Sequence, residues 1–520
     1  MIYDHISIGG GVIGLNTTIN LLNKLSKCKL KKKIRLCIID KDVSNIPGGV
    51  AYGKKTSTHG YFNNPIRLSH PELQRYYFNI KNFLKLKDYI KIHGSNYDDK
   101  KFQSDLKILK TKDLKKMREV YLPRVAFSYL QENSLSKIIK KIINSNQKIQ
   151  IDFYQGEVSN FSHHLKNSFK ISSKKIFNNF KLNNEDLKKS KISFLKNSII
   201  TKNLYAKNLT LGIGVTPPKK LTEKKFKNED YIWDFYSQGA TSYLIKKLES
   251  KLKLQKEVRL CFIGSKAGFL ESLQEIYRLR QNYKNLKIFC FSKKFESLQP
   301  AKIDFTKKIS LKFLKKSNKN INTAEKLYLQ IVKELNLSRN NNNLKYLIWT
   351  KILSKNILNF FLNDLNKEEI IKYQTIYFQK IRSLTRFTFP ETIKVKDTML
   401  KNKMIRNIKE KAQEVFVKEK LIYVKGDKKD YKFDVVVNVT GPATIHEISE
   451  YLPIYKSLLN FINQKRYVIV NRDFSIQNLK NLFVPGTIAQ GFNDQRLTII
   501  KAIIRNSDKS SSEIFKRIMS

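Results

Sequence analysis

Gly9, Gly11 and Gly14 are spaced as G-x-G-x-x-G, and a carboxylate, Asp40, follows downstream. In such a triplet the first glycine makes a tight turn, the second lets the backbone approach a pyrophosphate, and the third lets a helix pack closely on a strand. The free N–H groups and the positive end of that helix then receive the phosphates. Asp40 supplies an acceptor for a ribose hydroxyl, so the constellation is a dinucleotide-binding one. The elements that must position it are present in order. Ile2 to Ile8 reads as a strand, and Leu15 to Leu25 carries apolar residues at helical spacing through Leu15, Ile19, Leu22 and Leu25. A basic turn, Lys29 to Lys33, leads to a second buried strand, Ile34 to Ile39, that ends at Asp40.

A second unit of the same kind begins with the strand Val258 to Ile263 and turns at Gly264-Ser265-Lys266-Ala267-Gly268. It continues as a helix from Phe269 to about Leu279 and returns as a strand from Lys287 to Phe291. The middle glycine is missing. Lys266 occupies its place, where a side chain hinders close approach of a pyrophosphate but an ammonium group can contact phosphate directly. Beyond the returning strand, Ser292-Lys293-Lys294 offers cations where a carboxylate would favour NAD, so NADPH is preferred. Gly264, Ser265, Gly268 and Lys293 are the candidate contacts, with a vestigial structural domain as the alternative.

Of the 520 residues, 41% are hydrophobic, enough for several cores, which excludes a disordered basic tail as a description of the whole. The formal net charge of +56 admits nucleic acid or an anionic membrane as partners, but the lysines are spread along the chain amid Asn, Ile, Phe and Tyr. Compositional drift is therefore the favoured reading, and a nucleic-acid partner is not. Cys28, Cys37, Cys261 and Cys290 form no C-x-x-C pair and have no ligand-like spacing with histidine, which argues against zinc, a disulfide framework and dithiol redox chemistry. Neither a signal peptide nor a membrane span is legible. The chain is expected to be cytoplasmic, with contact to a membrane surface left open.

The first fingerprint alone does not separate FAD from NAD(P). Further landmarks do. Gly48-Gly49-Val50-Ala51-Tyr52-Gly53, Asn63-Asn64-Pro65 and Pro123-Arg124 with Tyr129-Leu130 follow the first unit. Leu211-Gly212-Ile213-Gly214 with Pro217-Pro218, then Asp434 to Pro442 with Thr440-Gly441, and finally Leu482 to Thr487 come later. Together they resemble the two-dinucleotide FAD/NAD(P)-binding flavoproteins, a group related to flavin-dependent monooxygenases.

The resemblance implies an α/β fold: a Rossmann-type FAD-binding domain with an inserted second Rossmann-like NAD(P)-binding domain and a helical insertion. The expected boundaries are 1–220 and 396–520 for the FAD domain, 221–320 for the NAD(P) domain and 321–395 for the helices. It also implies that Tyr52, Asn64, Arg124, Gly441, Gly486 and Thr487 approach the flavin. Thr487 stands where many relatives carry an acid. The implied function is an FAD-dependent oxidoreductase using NADPH, a monooxygenase hydroxylating a small molecule, with substrate, catalytic residues and oligomeric state undetermined and no metal. A basic flavoprotein bound to RNA or another polyanion, or a non-catalytic dinucleotide-binding protein, are the alternatives.

Overall fold

The computed structural model describes the chain apart from residues 55–61, 63–64, 67–68, 70, 93–98, 112, 114–119, 146, 165–167, 224–227, 236, 238, 266, 294–298, 301–308, 316–319, 340, 355–356, 386, 389, 420, 464–466, 487 and 492–498. The first unit is built as the glycine spacing requires, from β1 (Ile2–Ile8), α1 (Val12–Leu25) and β2 (Ile34–Asp40). Helix α2 (Val125–Asn144) leads into β3 (Ile149–Gln155), which lies parallel to β2. An antiparallel meander of β4 (Val158–His164), β5 (Ser168–Leu182) and β6 (Phe194–Leu211) follows. The end of β6 enters the sheet parallel to β1, and Leu479–Phe483 adds beside it.

β1 and β2 are buried almost end to end, because strands flank them in the plane and both faces of the sheet are covered. On one face Leu15, Ile19, Leu22 and Leu25 of α1 pack with Ile138, Ile139 and Ile142 of α2 and with Ile514 and Ile518 of helix Ile499–Met519. On the other, Phe161, Phe169 and Phe177 of the meander close over the sheet with Ile445 and Ile448.

The second unit is wholly parallel. β7 (Tyr231–Ile232), helix α3 (Ala240–Leu254), β8 (Val258–Ile263), helix α4 (Ala267–Asn282), β9 (Leu286–Phe291), β10 (Ile405–Ile408) and β11 (Val435–Asn438) give the strand order β10-β9-β8-β11-β7. Helices α3 and α4 cover one face, and a small antiparallel sheet contributing Val415, Ile422, Val424 and Phe433 covers the other. Helices between Ala324 and Leu384 have a core of their own, including Leu327, Ile331, Ile352, Phe361 and Ile381.

This pairing corrects one expected boundary. The chain does not rejoin the first sheet at 396: β10 and β11 belong to the second sheet, and first-sheet strands resume only at Ile462–Asn463. Apolar runs reveal that strands exist but not which edge they pair with, and β8 needed a partner on its free side. Amide exchange of Val436–Asn438 is accordingly expected to be as slow as that of Leu260–Ile263, as for any strand paired on both sides. Fast exchange at β11 alone would contradict the assignment.

Candidate functional site

Three backbones converge where β1 ends. The Gly9 N–H donates to Ile39 O at 2.7 Å and the Gly212 N–H donates to Ile8 O at 2.7 Å, locking β1 between its neighbours. Gly9 has φ +97°, and a Cβ there would lie 2.4 Å from Gly212 O; a Cβ on Gly14 would lie 2.0 Å from Gly9 O. No side chain fits into either approach, so α1 sits directly on the strand ends. Gly11 is the N-cap of α1, without a side-chain cap and without an acidic residue in the first turn. The first-turn N–H groups and helix dipole thus favour an incoming anion.

Asp40 is where the sequence places it. Its Oδ2 accepts the Gly10 N–H at 2.7 Å and its Oδ1 the Asp42 N–H at 3.0 Å, so it braces the glycine turn against the loop after β2. Burial pushes its carboxyl above the ordinary 3.8, and these N–H groups oppose the shift. Tyr52 belongs to the same neighbourhood, stacked on Phe62 at 5.7 Å and edge-on to Phe127 at 5.9 Å, in a cluster that also holds Val12 and Ile13. Gly486 arrives from the other end of the chain, its α-carbon facing Ile13 so closely that a Cβ would lie 2.8 Å from Ile13 Cδ1.

The second turn repeats this geometry. The Gly264 N–H donates to Phe291 O at 3.0 Å, Gly264 has φ +107°, and a Cβ would lie 3.0 Å from Val439 O beyond the neighbouring strand β11. Gly268 is buried at the start of α4. The polar pair differs. Where the first turn sets Gly10 against Asp40, the second sets the Ser265 hydroxyl 2.8 Å from the Ser292 hydroxyl. Lys293 follows, largely exposed, with Nζ 3.6 Å from Asp427 Oδ2.

The structure divides the remaining candidates. Gly441 lies just past β11, exposed, beside the second turn; Pro442 bridges Pro218, and the Ala443 N–H donates to Pro217 O at 2.9 Å, so these two segments link the units. Gly441 and Gly486 are therefore next to different turns. Arg124 points across to the second unit, where its guanidinium forms a two-pronged ion pair with Glu271 of α4, Nη1 to Oε2 at 3.2 Å and Nη2 to Oε1. Glu271 was not singled out in the sequence, because nothing local marks an acid on a helix as a partner for a residue so far away. Asn64, Lys266, Lys294 and Thr487 lie outside the described residues. A cavity of about 580 Å³ lies elsewhere, between Phe161, His163 and Phe169 on one side and Pro453, Lys456 and Phe461 on the other, and touches neither turn.

No family model and no curated protein matches the chain. Among solved structures, the FAD-bound cadaverine monooxygenase of desferrioxamine biosynthesis from Erwinia amylovora aligns over 99% of this chain and 94% of its own at 13% identity, with a TM-score of 0.52. The L-lysine 6-monooxygenase of Pseudomonas syringae aligns over the whole of both chains at 10% identity and a TM-score of 0.54. A thioredoxin reductase of Lactococcus lactis also matches, at 9% identity and a TM-score of 0.43. The fold is that of the two-dinucleotide-binding flavoproteins, as the motifs led one to expect.

The Asp40 environment has a pH signature. Because burial raises its folded pKa, the folded state holds a proton that the unfolded state releases, and stability falls as pH rises from about 3.8 through the raised value, then levels off. Urea unfolding of the ligand-free protein is expected to show this loss relative to Asp40→Asn, whose neutral side chain removes it. Parallel stability–pH curves for the two proteins would contradict the burial assigned to this carboxyl.

Proposed function

We propose that the chain is an FAD-dependent oxidoreductase that takes its electrons from NADPH, and that it is a monooxygenase acting on a small molecule. The observation that carries this reading is the duplicated geometry: two glycine turns with the same strand-end hydrogen bond and the same close backbone approach, differing in the polar group beyond the second strand. The first fits FAD. Gly9 and Gly14 let α1 sit on the strand ends, Gly11 at its N-cap, against the Gly49 backbone, carries no side chain to obstruct a pyrophosphate, and Asp40 is the acceptor proposed for a ribose hydroxyl. Gly486, at the first turn of α1, borders the same space, and Thr487 and Asn64 are assigned to it by motif.

The second turn fits NADPH better than NADH. Ser292, whose hydroxyl lies against that of the buried Ser265, stands where an aspartate would repel a 2′-phosphate, and Lys293 follows it. FAD bound at the first turn would accept a hydride from the nicotinamide and deliver electrons onward to oxygen or another acceptor. The protein's own part is to orient. Arg124 and Glu271 hold α4 against the start of α2, and Tyr52 packs beneath the first turn of α1.

Cysteine placement favours oxygen over a disulfide as the acceptor. Cys37, Cys261 and Cys290 are buried, and Cys261 and Cys290 belong to cores on opposite faces of the second sheet. Burial pushes the Cys261 thiol well up, leaving little reactive thiolate. Only Cys28 is partly exposed, and a single thiol makes no dithiol. The lysine and cadaverine monooxygenases that share the fold are consistent with this choice and recommend aliphatic amines as first substrates to try.

NADPH is expected to bleach the flavin band anaerobically, NADH about tenfold less effectively or worse, and readmitted oxygen to restore it. Ser292→Asp should reverse the coenzyme preference while leaving flavin content unchanged. Flavin that neither coenzyme reduces would contradict the proposal, and a preference untouched by Ser292→Asp would contradict the role given to the second turn.

A further inference from the structure

The meander that covers the first sheet also extends beyond it. The early half of β6 is exposed on both faces, and its pairing with β5 is broken by two register shifts. In one, Lys196 and Ile200 pair with Phe180 and Asn178, leaving Asn197, Ser198 and Ile199 opposite the single residue Asn179. In the other, Ser173 to Ile176 stand opposite Lys202. Irregularities of this kind bend a strand and re-aim its side chains. The residues displayed are aliphatic: Ile176, Leu195, Ile199 and Ile200 are 45%, 55%, 55% and 59% exposed. Interleaved with them are the exposed Lys174, Lys175, Lys181, Lys196 and Lys202. The two strands together carry seven lysines and no aspartate or glutamate.

We propose that this arm is a docking surface for an anionic lipid bilayer, with the aliphatic side chains entering the headgroup boundary and the lysines contacting lipid phosphates. Charge complementarity selects the partner. A second copy of the chain would bring lysines against lysines across the contact. Single-stranded nucleic acid would need rings on which bases stack, whereas Phe169 and Phe177 are buried and Phe180, Phe194 and Tyr205 are at most half-exposed. Protruding aliphatic side chains ringed by lysine match instead the two forces that hold a peripheral protein on a membrane, apolar insertion and attraction to anionic headgroups. This proposal does not depend on which cofactors bind.

The test must separate insertion from diffuse attraction of a highly charged protein. The chain should sediment with phosphatidylcholine vesicles containing phosphatidylglycerol and not with phosphatidylcholine alone. Ile199→Ser with Ile200→Ser, at unchanged melting temperature, should weaken that binding by about tenfold or more. Emission of an Ile200→Trp variant should shift to the blue on the anionic vesicles, while a Leu254→Trp variant, at an exposed site in the second unit, should not. Unchanged binding by the double serine variant would overturn the proposal. So would unshifted emission from an Ile200→Trp variant that sediments, since overall charge alone would then account for binding.

Discussion

The architecture depends on the contact of α1 with the ends of β1 and β6, where Gly9, Gly14 and Gly212 meet backbone to backbone. A single added methyl group at Gly14 would overlap a carbonyl, which unlike the end of a flexible side chain cannot yield. Because the helix sits this close, its first turn stands directly above the strand ends, and Ile13 receives Gly486 from the far end of the chain. Helix Ile499–Met519 then closes against α1, with the Ser507 hydroxyl donating to Ile13 O at 3.3 Å. The position of the first turn of α1 and the packing of both chain ends follow from one steric constraint.

A similar close approach recurs at Gly264, against the Val439 backbone, so under the proposed function one chain would carry two dinucleotide sites of different character. The strand-end hydrogen bonds and positive φ values are common to both turns, so they set the common geometry. In the proposed reading, specificity falls to the residue at or just past the end of the second strand, Asp40 in one unit and Ser292 in the other. A carboxylate in one unit and a hydroxyl in the other is a small difference in volume but a full unit of charge, which is what separates a ribose hydroxyl from a ribose phosphate. The linking segments around Pro218 and Pro442, and the Arg124–Glu271 pair, hold the two turns in relation to each other.

Local features were legible in the sequence and long-range ones were not. The strands at Ile2, Ile34, Val258 and Leu286 and both glycine turns stand where spacing puts them, because each is encoded within a few residues. The sheet membership of β10 and β11 depends on partners more than a hundred residues away, so the boundary at 396 was misplaced. Arg124 was expected to approach the flavin, whereas its guanidinium pairs with Glu271, a contact set by how the two units face each other, which no local motif encodes. The charge of +56 changed meaning as well: spread along the sequence it reads as composition, yet on the β5–β6 arm the lysines surround exposed aliphatic side chains.

The central claim is that the first glycine turn is a side-chain-free cradle for FAD. Flavin content measured on the purified chain, and on Gly11→Leu at matched secondary structure, tests it most directly. One flavin per wild-type chain, or uptake of one on reconstitution, is predicted, and none in the variant. A colourless wild-type protein that takes up no FAD, or a folded variant that keeps it, would contradict the claim.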